Sequence, residues 1–183
     1  MIINESKFFS DTKSQDSWTF ILENKISKTF SELFNKNEKS IFISHKHGEQ
    51  EYVYRLKDLL TEYGFTGYVD WEDDSMPKET SGETAKKIKQ EINKASKFIL
   101  IATNAAIESK WCNWEIGYAD TNKYINHIVL FPLLKNEDNY RGEEYLQIYP
   151  SLQITSNNLF NNSQYYILYP DGDKKSLKDW LTL

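Results

Sequence analysis

The sequence predicts an α/β fold: a flavodoxin-like, doubly wound parallel sheet of about five strands, preceded by an N-terminal helical extension. Three observations predict it. From residue 40 onward, short apolar runs alternate with segments of helical period, which is the pattern of βα units. One of those runs, 128–134, is apolar throughout, as a strand covered on both faces must be. The chain has 183 residues, 39% hydrophobic and 15% aromatic, enough for one domain with a sizeable core and too much for intrinsic disorder.

Each element follows from local chemistry. In 1–39, Trp18, Ile21, Leu22, Ile26, Phe30 and Leu33 recur at steps of three and four and describe one helical face, and Asn35-Lys36-Asn37-Glu38-Lys39 reads as a linker. We therefore divide the chain into an extension, 1–39, and a domain, 40–183. Ile41-Phe42-Ile43 is the first strand. A helix over 49–63 places Val53, Leu56, Leu59 and Leu60 on one face, and Gly64 stops it. The second strand spans 65–71. Thr80 and Glu83 are spaced as a capping box for a helix that buries Ala85, Ile88, Ile92 and Ala95. The third strand spans 98–103, Ser109 caps a helix reaching residue 124, and 128–134 is the fourth strand. Beyond it, Tyr165-Tyr166-Ile167-Leu168 supplies a fifth strand, and 176–181 a short closing helix with Asp179 at the capping-box position. Asn157, Asn158, Asn161 and Asn162 mark a polar loop.

Charge and composition remove whole classes of function. Lys and Arg total 22 against 27 Asp and Glu, a net charge of -5, with no basic block to follow a phosphate backbone, so no nucleic-acid partner is expected. No apolar run approaches the roughly 20 residues that cross a bilayer, so no membrane association is expected. The start, Met1-Ile2-Ile3-Asn4-Glu5, is not that of a secretory signal, and the single cysteine cannot form an internal disulfide, so we expect a cytoplasmic protein.

Ligands of a doubly wound sheet sit at the carboxyl ends of its strands. There the chain carries Ser44-His45-Lys46-His47-Gly48, then Asp70-Trp71-Glu72-Asp73-Asp74, and then Ser109-Lys110-Trp111-Cys112-Asn113-Trp114-Glu115. No Gly-x-Gly-x-x-Gly and no phosphate-loop motif occurs, which disfavours dehydrogenases and P-loop enzymes. A phosphoacceptor receiver domain is equally disfavoured, with His45 and Asn104 where it needs acidic residues. Trp111 and Glu115 are four apart and share a helical face with Tyr118 and Asn122, whereas Cys112, Ile116 and Ala119 form the neighbouring stripe that suits the core. A helical Glu is ordinarily solvated, but a carboxylate beside Trp at the sheet's carboxyl edge is also placed for a partly apolar cleft. His45 and His47 lack a third ligand nearby in sequence, so no metal is expected. Cys112, turned to the core, is a poor nucleophile, and Glu72-Asp73-Asp74 reads as a solvated loop.

These motifs, in this order and spacing, resemble the Toll/interleukin-1 receptor (TIR) domain over 41–134. Phe42-Ile43-Ser44-His45 resembles its first strand. Gly64-Phe65 followed by Tyr68-Val69-Asp70 resembles its second, and Ser109-x-Trp111-Cys112-x-x-Glu115 resembles the segment that holds the catalytic glutamate of NAD-cleaving TIR domains. The resemblance implies Glu115 as the catalytic residue. It implies substrate contacts from Ser44, His45, Lys46, Asp70, Trp71, Ser109 and Trp111, with 72–79 as a mobile loop.

It further implies an enzyme that breaks the nicotinamide–ribose bond of NAD, with NAD as substrate and no other cofactor. The Lys, Asn and Ile richness and single-domain layout resemble standalone TIR proteins of Thoeris-like bacterial antiphage defence. In those, an ADP-ribose-derived product, which can be cyclic, signals to a separate effector protein, and TIR domains self-associate. Two other readings stand beside it: a non-catalytic TIR scaffold for protein–protein assembly, and an enzyme like the nucleoside deoxyribosyltransferases, which share the sheet topology and a catalytic glutamate.

Overall fold

Ser40–Ser44 (β2) forms the first long strand because Ile41 and Ile43 point to one face and Phe42 to the other, all buried. The structure is a computed structural model describing residues 2–6, 8, 40–77, 81–134, 139–157 and 162–183. The helix read over 18–34, its linker and most of the asparagine-rich loop lie outside the described residues.

Ahead of β2, Ile3–Asn4 (β1) pairs in parallel with Ile128–Leu134 (β5). After β2 come helix Gln50–Glu62 (α1), strand Thr66–Tyr68 (β3), a 3-10 turn at Asp70–Glu72, and helix Gly82–Lys94 (α2). Strand Lys97–Ala102 (β4) leads to the short helix Asn104–Ile107 (α3), helix Lys110–Asn122 (α4) and then β5. Glu143–Leu146 (α5), Ser151–Asn157 (β6), Asn162–Leu168 (β7), Lys174–Ser176 (β8) and Leu177–Thr182 (α6) complete the described elements.

The sheet order is β3-β2-β4-β5-β6-β7-β8, with β1 joined to β5. Its first five members are parallel and in flavodoxin order, as the sequence predicts. Helices α1 and α6 cover the face that carries Ile41, Ile43, Ile99, Ile101, Val129 and Phe131. Helices α2 and α4 cover the other, over Phe42, Phe98, Leu100 and Leu130.

Three details differ from expectation. The fifth parallel strand is β6, and Tyr165–Leu168 lies within β7, its antiparallel neighbour. Ser151 and Gln153 of β6 are polar yet buried, and Gln153 Nε2 donates to Ser151 Oγ at 3.0 Å. Each thereby satisfies the other, so Leu152 and Ile154 reach the core without stranding a polar group. The cap of α2 is Ser81, one residue later than read: Ser81 Oγ accepts from Thr84 N at 3.4 Å, and Ser81 N donates to Thr84 Oγ1 at 3.1 Å. The chain also begins on the sheet, for Ile3 is buried and the fully buried Phe8 meets Phe131 edge to face at 4.9 Å.

Candidate active site

A flavodoxin-type sheet opens a crevice where successive connections leave in opposite directions, here between the carboxyl ends of β2 and β4. Helix α1 departs over one face and α4 approaches over the other. The residues at this place are therefore the end of β2, the turn after β4 and the first turns of α4.

Ser109, the N-cap of α4, accepts from Cys112 N at 3.4 Å and sets the helical register as the sequence predicts. One turn on, Glu115 points inward. Only 4% of it is exposed, so it is not the solvated glutamate that helical position alone suggests. Ser44, the last residue of β2 and 1% exposed, donates its hydroxyl to Glu115 Oε2 at 2.5 Å. Trp111, one turn earlier on α4, lies beside the same carboxyl. Burial pushes the Glu115 pKa up to about 8, the Ser44 bond and Trp111 oppose the rise, and the nearby Asp70 charge reinforces it. In the free protein this burial biases Glu115 towards the protonated acid at neutral pH.

His45 stands beside it with its side chain 8% exposed. Its Nδ1 lies 3.1 Å from the Ile43 carbonyl and its Nε2 3.9 Å from Asp70 Oδ1, and its ring meets Trp71 edge-on at 4.2 Å. Burial lowers the His45 pKa, outweighing the Ile43 carbonyl and the Asp70 charge, with His47 adding to the fall. The imidazole is thus neutral at pH 7, its proton on Nδ1 facing Ile43. Asp70 Oδ1 also accepts from Trp71 N at 2.9 Å. Trp71 Nε1 is a buried donor that finds no hydrogen-bond partner among the described residues.

Ser44, His45, Asp70, Trp71 and Trp111 thus gather with Glu115. Ser109 does so through its cap, and Lys46 is exposed and contributes its backbone N–H to Glu49 Oε2 at 3.1 Å. Trp114 extends the aromatic surface that Trp111 begins. It stacks on Trp111 at 5.0 Å and on Tyr118 at 6.2 Å, with Lys89 Nζ over the Trp114 and Tyr118 rings at 5.6 and 5.1 Å. Cys112 is buried with its pKa raised by that burial, and its Sγ donates to the His45 carbonyl at 3.3 Å. No group of three or more His, Cys, Asp or Glu poised for a metal occurs among the described residues.

The acidic loop is bound at its start. Lys57 Nζ contacts Glu72 at 2.5 Å, and Asp73 accepts from Tyr68 at 2.8 Å and from Ser75, with Lys87 at 3.4 Å. Partial burial pulls the Asp73 pKa upward, but the bonds from Ser75 and Tyr68 and the Lys87 charge outweigh it and hold the carboxyl at about 2. Only Asp74 of the three acids is exposed. Sequence reasoning also passed over Glu49 and Thr103. A glutamate just ahead of a helix looks like ordinary helix-start chemistry, and nothing in the spacing announces a partner 54 residues away.

A parallel sheet in this order, with a buried glutamate of α4 bonded to the end of the first long strand, defines the TIR class. The profile of the TIR domain matches residues 41–164, and the chain belongs to that family. It is 28% identical over 170 residues to the probable 3' cyclic ADP-D-ribose synthase ThsB' of Bacillus cereus (strain MSX-D12), covering 87% of this chain and 86% of that protein. It is also 25% identical over 88 residues to the putative cyclic ADP-D-ribose synthase TIR2 of Cytobacillus dafuensis, covering 46% of this chain and 23% of that much longer protein.

Proposed function

We propose that this chain cleaves the nicotinamide–ribose bond of NAD through Glu115, and that the ADP-ribose portion closes into a cyclic product that signals in bacterial antiphage defence. The observation that carries the reading is the buried Glu115 carboxyl, bonded by the Ser44 hydroxyl beside Trp111 at the carboxyl-edge crevice. The names of the two relatives support the substrate and the cyclic product.

The chemistry suits one carboxylate. Nicotinamide is cationic in NAD and leaves as a neutral base, so bond breaking needs no proton donor, unlike ordinary glycoside hydrolysis with its pair of acids. Positive charge develops on the ribose as the bond lengthens. A fixed carboxylate stabilises that charge, and a cation brought within a few ångströms favours the ionised form of a buried acid. Substrate binding therefore converts Glu115 from a neutral acid into the anion the transition state needs. Trp111 and Trp71 supply apolar walls that keep water from the intermediate, which a ring-closing product requires. NAD is consumed as substrate, and these steps call for no further cofactor.

The reading includes self-association with other TIR domains and a separate effector that receives the product. No described helix is long and apolar enough to cross a membrane. The test is incubation of the protein with NAD and resolution of the products by mass spectrometry. Nicotinamide and a cyclic ADP-ribose are expected. Linear ADP-ribose alone would replace signalling with NAD depletion, and no turnover would favour a scaffold.

A further inference from the structure

Glu115 closes the crevice from the α4 face, and a second carboxyl, Glu49, closes it from the α1 face. Glu49 is the residue ahead of α1, yet its side chain makes no cap to its own helix. It turns across the crevice, where Oε1 accepts from the Thr103 hydroxyl at 2.5 Å while Oε2 accepts from Lys46 N at 3.1 Å. Thr103 follows β4 directly, and its Oγ1 also accepts from Ala106 N at 3.0 Å, capping α3. The turn that carries Ser44 and His45 is closed on itself by Glu49 N donating to the Lys46 carbonyl at 3.1 Å, with Gly48 at φ 96° allowing the bend. A single carboxylate thus ties the loop after β2 to the loop after β4. The Cys112 Sγ bond to the His45 carbonyl pins the same loop from α4.

We propose that Glu49 is a positioning residue of this site: its carboxylate, shared between the Lys46 N–H and the Thr103 hydroxyl, fixes the 44–49 turn so that Ser44 stays in reach of Glu115. The assignment rests on the NAD-cleaving reading for its effect on rate, but the loop geometry stands by itself. Burial raises the Glu49 pKa, while Thr103, the Lys46 amide and the Lys46 ammonium oppose the rise. The other titratable groups near it are Cys112 of α4 and Tyr52 of α1, which in turn bonds Glu5. The ionised form accepts both bonds most strongly, so protonation of Glu49 on the acid side weakens the clamp.

The experiment compares the full chain with Glu49→Gln, Thr103→Val, Thr103→Ser and the Glu49→Gln/Thr103→Val double variant. It reads nicotinamide release from NAD across pH, amide hydrogen exchange over 44–49, and melting temperature. Each of Glu49→Gln and Thr103→Val should lower kcat/KM about tenfold, and the double variant should fall well short of the summed losses, because the Glu49–Thr103 bond is lost in all three. Thr103→Ser should retain near-normal rate. The acid limb of kcat/KM should become one proton less steep in Glu49→Gln, and exchange over 44–49 should quicken. Strictly additive losses, an unchanged acid limb, or losses that track melting temperature in every variant including Thr103→Ser would overturn the proposal. If the parent chain releases no nicotinamide, the NAD reading fails, and exchange alone decides the clamp: unaltered protection in Glu49→Gln refutes it.

Discussion

If Glu115 acts as proposed, it is the residue on which reaction and stability oppose each other. A glutamate carboxyl in the unfolded chain titrates at 4.5, and the fold pushes this one to about 8. Below 4.5 the folded and unfolded chains both hold the proton. Between 4.5 and 8 only the folded chain holds it, so stability falls as pH rises and the loss is complete above 8. Glu115→Gln, which cannot ionise, should match the parent in melting temperature near pH 4 and exceed it near pH 9, while losing about a hundredfold or more in nicotinamide release. A variant that loses rate without gaining stability at high pH would show that the carboxyl is not buried as described. Trp111→Phe keeps a ring in the stack and loses only the indole donor, whereas Trp111→Ala loses both, so activity should fall in the order parent, Phe, Ala. Trp114→Ala should fall between them, because it removes the ring on which Trp111 leans. Much of this site was legible in the sequence, since Trp111 and Glu115 sit at helical spacing behind a recognisable cap. Glu49 was not, because its partner comes from a turn distant in sequence and its own position mimics a common helix start.

At the scale of elements, the amphipathic helices and the apolar strands declare themselves by period, and the pieces with mixed polarity do not. Strand β6 escaped because its alternation, Ser151-Leu152-Gln153-Ile154, is short and runs into a polar stretch, and because its two buried polar side chains satisfy each other. Strand β1 escaped because two residues are too few to show a period. Its attachment is nevertheless firm, with Phe8 fully buried against Phe131. Phe8→Ala should cost about 3 kcal/mol or more in unfolding free energy, measured by denaturant titration. A change below about 1 kcal/mol would mean that the N-terminal residues merely rest on the sheet. The loop after β3 is likewise more tightly held than a run of acids suggests. Asp73→Asn should loosen it, raising hydrogen exchange over 70–77 with little effect on the distant α6.

Across a molecule of net charge -5, the crevice gathers partly dehydrated acids beside aromatic walls. Asp70 contributes to raising Glu115 and draws on His45, so the electrostatics of β2, the 3-10 turn and α4 form one coupled unit. The proton on Glu115 then becomes a quantity that can be counted. On the proposed reading the free protein holds it at pH 7, and a bound nicotinamide cation would displace it into the solvent. Association with an uncleavable NAD analogue should therefore release close to one proton per chain. In titration calorimetry at pH 7, the observed heat should vary linearly with the ionisation enthalpy of the buffer, with a slope near one in magnitude. The slope should vanish in Glu115→Gln and should shrink for the parent as the pH is taken above 8. Such heats would weigh the burial of a single carboxyl on a balance that requires no turnover, and a slope of zero for the parent would mean that the anion is already present before substrate arrives.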